Sequence, residues 1–242
     1  ELRLYSRKFW IKEYITRYEF ITKFCQGKIL DCKFNKSTMY NSAKILLKND
    51  TKEVITYSNK DDKIFSYTKN NDKIKFTPIN EKRNEVLQNF DCIIAFETNF
   101  GRLNFENSLD EFFNLLKKDG KLIISVINSD KIKIDQFLDN SFSKKKFLKI
   151  LEKKFNNVEL YSQRQLLEEY ENEPSSIRKI SADFLKKIDK NRTFYIKHFQ
   201  KKMKEMDERK NQAKEIPNSD YLPEKYSEGS DPHYLIAICK KY

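Results

Sequence analysis

The sequence predicts an α/β fold built on a doubly wound, mostly parallel sheet, and two observations carry that expectation. Strand-like and helix-like segments alternate from about residue 28 to residue 161, and a uniformly apolar run, Cys92 to Phe96, stands in their middle. Alternation at this spacing calls for parallel crossovers, which are nearly always right-handed and leave helices on both faces of a sheet. The apolar run is too short for a helix and has no polar alternation. It therefore reads as a central strand buried on both faces.

The other elements follow in order. Residues 7–26 carry Ile11, Tyr14, Ile15, Tyr18, Ile21 and Cys25 at helical spacing and stop at Gly27, so a lead-in helix ends where the first strand, 28–32, begins. Residues 37–49 offer Met39, Ala43, Ile45, Leu46 and Leu47 as the apolar side of a crossover helix. Strands are expected at 53–57 and 73–77, with short helices at 61–67 and 83–88. After the central strand, Leu109, Phe112, Phe113 and Leu116 recur at i, i+3, i+4 and i+7, one stripe that can cover the sheet. Lys117 and Lys118 are expected in the last turn of that helix, where cations favour the carbonyl end, and Gly120 as the left-handed residue that closes it. Residues 122–127 form the next strand. A helix at 142–155 with Phe147, Leu148, Leu151 and Phe155 inward, then strands at 158–161 and 234–239, complete the sheet.

Three regions are expected: a helical lead-in (1–26), an α/β domain (27–162 with 232–242), and a helical insertion and loop (163–231). The insertion reads as helices at 163–171, 176–188 and 192–214, the last with a narrow apolar seam of Phe199, Met203 and Met206. A protein partner or a second copy of the chain is expected to dock on residues 163–226.

A formal net charge of +12 comes mainly from Lys spread evenly along the chain, without an Arg cluster or an aromatic nucleic-acid signature, so nucleic acid is not the expected partner. Cys25, Cys32, Cys92 and Cys239 lie in apolar contexts without a CxxC pair, and the chain has only two His, so no metal is expected. No run of apolar residues is long enough for a membrane span and no signal-peptide pattern opens the sequence. A cytoplasmic protein is the expectation.

FDCIIAFET (residues 90–98) followed by LLKKDGKLIISVIN (115–128) resembles the second half of the class I S-adenosylmethionine (SAM)-dependent methyltransferase family, usually written FD-hydrophobic-FET, helix, LKPGG-hydrophobic-STPN. RYEFITKFCQGKILD (17–31) is similar to that family's lead-in helix and first strand, FSKKKFLKILEKKFNNVELYSQR (142–164) to its late helix and sixth strand, and PHYLIAICKK (232–241) to its closing strand. The resemblance implies a Rossmann-like sheet of seven strands in the order 3-2-1-4-5-7-6, the last antiparallel, with a helical insertion before the last strand. It also implies a SAM site, and here the chain departs from the pattern. Lys33, Asn35 and Ser37 stand at the three glycine positions of the D-x-G-x-G-x-G turn after Asp31. Glycine supplies positive φ and close approach to the ligand, and Lys and Ser put atoms where the cofactor would lie. Ser58 stands where an acidic residue would hold both ribose hydroxyls, Asn80 where an Asp would meet the adenine, and Asn99-Phe100-Gly101 replaces the family's I-E-H; Asp31 and Glu97 remain.

The expected function is therefore a methyltransferase-fold protein with a degraded SAM site that acts by binding, with no cofactor expected and no catalytic residue assigned. The alternatives are an active SAM-dependent methyltransferase of a sugar, nucleotide-sugar or other small acceptor, with SAM as cofactor, and a basic nucleic-acid-binding protein.

Overall fold

The computed structural model describes residues 13–32, 39–47, 50–58, 71–78, 88–96, 105–130, 141–163, 222–230 and 232–242. All fall in one compact unit, residues 13–164 with 222–242; residues 1–12 and 165–221 make up the other unit and lie outside the described residues. The expected short helix at 61–67, nearly all of that at 83–88, and the helices expected at 163–171, 176–188 and 192–214 also fall there, apart from Gln163.

Helix α1 (13–21) runs into a 3-10 turn at Thr22–Phe24, and strand β1 follows at Gly27–Asp31. Next come α2 (Met39–Leu46), β2 (Thr51–Ser58), β3 (Ile74–Pro78), β4 (Phe90–Phe96), α3 (Phe105–Leu115) and β5 (Leu116–Asn128). The two-residue β6 (Ser141–Phe142), α4 (Lys144–Glu152), β7 (Asn157–Gln163), the two-residue β8 (Glu224–Lys225) and β9 (Tyr234–Lys240) complete the described part. The sheet order is β3-β2-β1-β4-β5-β9-β7-β8, with β6 on β5. Without the two short strands this is the expected seven-strand order, and β9 is antiparallel to β5 with Tyr234 opposite Ile127 and Cys239 opposite Leu122. The seven-strand expectation is corrected by β6 and β8, each held by two paired residues.

Strand β4 is buried along almost its whole length, between β1 and β5, as its unbroken apolar sequence requires. Alternate residues of a strand point to opposite faces. On one face Ile93 and Ala95, with Leu122, Ile124 and Val126 of β5, meet Leu109, Phe112, Phe147, Leu151 and Phe155 in a single core. On the other face Cys25, just after the 3-10 turn, meets Cys92, and α1 covers Phe96: Tyr14 and Tyr18 set their rings 6.0 and 5.1 Å from Phe96, and Phe20 lies 5.1 Å from Tyr161 of β7. Burying a side chain such as Phe147 contributes about 2–3 kcal/mol, so this two-sided packing dominates local stability.

Three local expectations are corrected. Helix α3 stops at Leu115, before Lys117 and Lys118, which lie in β5; the cation at its carbonyl end is Lys241, whose Nζ donates to the carbonyl oxygens of Phe113 and Leu116 at 2.6 and 2.8 Å. The left-handed residue is Asp119 (φ 63), not Gly120. Gly120 is needed for space instead, since a Cβ there would lie 2.9 Å from the Lys117 carbonyl oxygen and 3.0 Å from that of Phe90. In α4 the buried residues are Phe147, Ile150 and Leu151, while Leu148 is only half-buried.

Candidate functional site

Strand order reverses between β1 and β4: the chain runs outward through β1, β2 and β3 on one side and through β4 and β5 on the other. In an open α/β sheet a ligand lies beyond the carboxyl ends of the strands at such a switch point. Asp31 ends β1 there, opposite Thr56 and Ile94 of its two neighbours.

Asp31 is 1% exposed, and both of its carboxylate oxygens are engaged by the chain itself. Tyr18 of α1 donates to Oδ1 at 2.7 Å and Ser42 of α2 donates to Oδ2 at 3.0 Å, while Thr56 donates to the Asp31 backbone oxygen at 3.1 Å. A buried carboxylate is tolerated only when it is hydrogen-bonded, and two hydroxyls supply that here. Burial, and then the Asp31 charge, push the Tyr18 hydroxyl well above its ordinary pKa, so it stays protonated and remains a donor.

Beside this cluster lies a second one. Arg17, one residue before Tyr18, is 1% exposed; its Nε donates to Gln163 Oε1 at 2.8 Å and its Nη1 to Ser125 Oγ at 3.1 Å. The guanidinium lies 4.2 Å from the Tyr234 ring centroid and 5.2 Å from that of Phe96, distances at which a cation is attracted to an aromatic face. Gln163 in turn donates to the Glu13 carbonyl oxygen at 3.0 Å, so the end of β7 is tied to the start of α1. Phe96, Gln163 and the start of β9 all lie at the carboxyl edge of the parallel strands.

Of the residues that the sequence nominates, Asp31 is thus placed at the switch point. Ser58 is placed through its backbone as the last residue of β2, opposite Pro78 of β3; its side chain, and all of Lys33, Asn35, Ser37, Asn80 and Glu97, lie outside the described residues. The residues that sequence reading missed are Arg17, Ser42, Ser125 and Gln163. Arg17 had a readable signal: Tyr14, Arg17, Tyr18 and Ile21 stand at i, i+3, i+4 and i+7, which puts a cation inside the buried stripe. Among the described residues no group of His, Cys, Asp and Glu could hold a metal ion, and no helix is long and apolar enough to cross a membrane.

No protein-family model and no curated protein matches the sequence. Solved structures do match. A SAM-dependent methyltransferase from Thermotoga maritima superposes with a TM-score of 0.52 at 12% identity, over 100% of this chain and 96% of its own. The 1,6-didemethyltoxoflavin-N1-methyltransferase of Burkholderia thailandensis, solved with S-adenosylhomocysteine, matches with a TM-score of 0.51 at 13% identity over 98% of this chain and 82% of its own. Phosphoethanolamine N-methyltransferase 2 of Haemonchus contortus, in complex with SAM, matches with a TM-score of 0.51 at 13% identity over 89% of this chain and 49% of its own. These likenesses show the fold: the chain has the class I SAM-dependent methyltransferase fold. Since structures of this fold hold SAM or its demethylated product, the expectation that no cofactor binds gains no support from the fold.

The fit of SAM to this site turns on the residues themselves. Both carboxylate oxygens of Asp31 accept from Tyr18 and Ser42, and the sequence after it carries Lys33, Asn35 and Ser37 at the family's glycine positions. Ser58 stands in sequence at the position where the family pattern has an acidic residue. In sequence, these positions depart from the family pattern of the SAM site.

Proposed function

We propose, taking the class I methyltransferase fold as premise, that this chain acts by binding and that its former cofactor edge now serves to hold the fold together. The observation that carries the reading is the state of Asp31. The one acid kept at the head of the cofactor turn is spent on two internal hydrogen bonds, to Tyr18 and Ser42, at 1% exposure. The substitutions Lys33, Asn35, Ser37 and Ser58 point the same way. The binding partner is a protein or a second copy of the chain, engaged through residues 163–226 of the insertion. Sedimentation velocity of the full chain across a concentration series tests the second copy, and deletion of residues 192–214 removes the association if the seam of Phe199, Met203 and Met206 makes it. An association unaltered by that deletion would contradict this placement.

A second reading is methyl transfer from SAM to a small acceptor. It is favoured by the preservation of the sheet at the switch point, from β1 through β5 in unbroken order. SAM would supply the methyl group, and this chain's residues would have to admit it beside Asp31. Calorimetry with SAM and with S-adenosylhomocysteine separates the two readings.

A further inference from the structure

The sulfur atoms of Cys25 and Cys92 lie 3.5 Å apart, and both thiols are free and buried. Cys25 follows the 3-10 turn that ends α1, at the boundary between that helix and β1, and its neighbour Gln26 is exposed. Cys92 sits in the central strand β4. We propose that Cys25 and Cys92 are a dithiol pair that a hydroperoxide converts into an intramolecular disulfide, stapling the end of the lead-in helix to the central strand.

Geometry favours the bond, because the two sulfurs need to approach by only about 1.5 Å to reach disulfide length. In the closed fold the pair is protected: the hydrogen bond to Cys92, then burial, push the Cys25 thiol well above its ordinary pKa. Reaction therefore proceeds when the 3-10 turn opens, as helix ends do at low free-energy cost. In the closed fold Lys121 already acts against that shift: its Nζ lies 3.4 Å from the Phe24 carbonyl oxygen, next to Cys25, and its charge works to lower that thiol's pKa. The Cys25 thiolate attacks one oxygen of hydrogen peroxide and the O–O bond breaks. Hydroxide leaves and takes up a proton as water, and Cys25 becomes a sulfenic acid. The Cys92 sulfur attacks the Cys25 sulfur and the S–O bond breaks, with the Cys92 proton leaving in a second water. The two thiols lose two electrons and two protons, and the peroxide is reduced to two waters.

The wild-type chain is itself the test. After reductant is removed, brief treatment with hydrogen peroxide should leave two of the four thiols titratable in denaturant. The intact mass should fall by about 2 Da, and unreduced peptide mapping should give a Cys25–Cys92 link. The thermal midpoint should rise by about 5 °C or more, a gain that dithiothreitol reverses. In Cys92→Ser the same treatment should leave a Cys25 sulfenic acid that dimedone traps. Four surviving thiols in the treated wild-type chain, oxygen added to single cysteines without a link, or links to the buried Cys32 or Cys239 would each overturn the proposal.

Discussion

Tyr18 donates its hydroxyl to Oδ1 of Asp31 across 2.7 Å in a setting where both residues are 1% exposed. The lead-in helix is thereby bound to the end of β1 by the residue that heads the cofactor turn in chains with glycines there. Tyr18→Phe keeps the ring against Phe96 and removes the hydroxyl that donates to Asp31 and lies 3.5 Å from the Tyr14 hydroxyl. A hydrogen bond to a buried charged group contributes about 1.5–3 kcal/mol, so denaturant unfolding should show a loss of that size with an unchanged slope. A loss below about 0.5 kcal/mol would mean that Asp31 finds another donor in the folded state.

Arg17 holds Gln163 and Ser125 with two different nitrogens while its plane lies near the Tyr234 ring. A lysine has a single point of charge and no planar face, so Arg17→Lys is not conservative at this site. It should destabilise the fold by about 1–3 kcal/mol, read from the denaturant midpoint, and should reduce hydrogen-exchange protection at both α1 and the end of β7.

Asp119 takes the left-handed position that sequence spacing assigns to Gly120. Asp119→Gly relieves a left-handed residue and loses an exposed pair with Lys240, so its thermal midpoint should stay close to that of the parent. Gly120→Ala meets the backbone oxygens of Lys117 and Phe90 and should cost about 1–3 kcal/mol. Thermal unfolding of the two variants decides between this arrangement and a helix closed by Gly120.

The difference shows where the sequence was legible and where it was not. The unbroken apolar run located the central strand and helical periodicity the stripe of α3, because burial of apolar residues is written locally. The end of α3 was not legible, since the cation that caps it, Lys241, comes from the far end of the chain. The site divides in the same way. Asp31 was recognisable from the motif around it, whereas its closure by Tyr18 and Ser42, and the Arg17–Gln163 contact, depend on elements brought together only by folding.

Acid sensitivity should trace in part to Asp91. Its Oδ2 accepts from the Lys28 amide at 2.7 Å and its Oδ1 pairs with Lys117 at 2.9 Å. Burial acts to raise its pKa, but these two partners outweigh it, and the carboxyl is held below its ordinary value of 3.8. The unfolded chain then binds the proton more readily, so the stability Asp91 contributes is present above about pH 4 and is lost as pH falls through the lower folded-state pKa. The stability gap between the parent and Asp91→Asn, measured by urea unfolding from pH 5 to pH 2.5, should narrow towards the acid end. A gap that widens in acid would reverse the assignment.

Isothermal titration calorimetry of the full chain with SAM tests the central claim most directly. On the proposed reading, loss of a bidentate ribose contact at Ser58 would remove about 2–3 kcal/mol, roughly thirty-fold to more than a hundredfold in affinity, and side chains at Lys33, Asn35 and Ser37 would add to that loss. The account predicts no binding tighter than the millimolar range, with binding improved in the variant carrying Lys33→Gly, Asn35→Gly, Ser37→Gly and Ser58→Asp. Micromolar binding of SAM by the unaltered chain would contradict it and would establish the edge beside Asp31 as a working cofactor site.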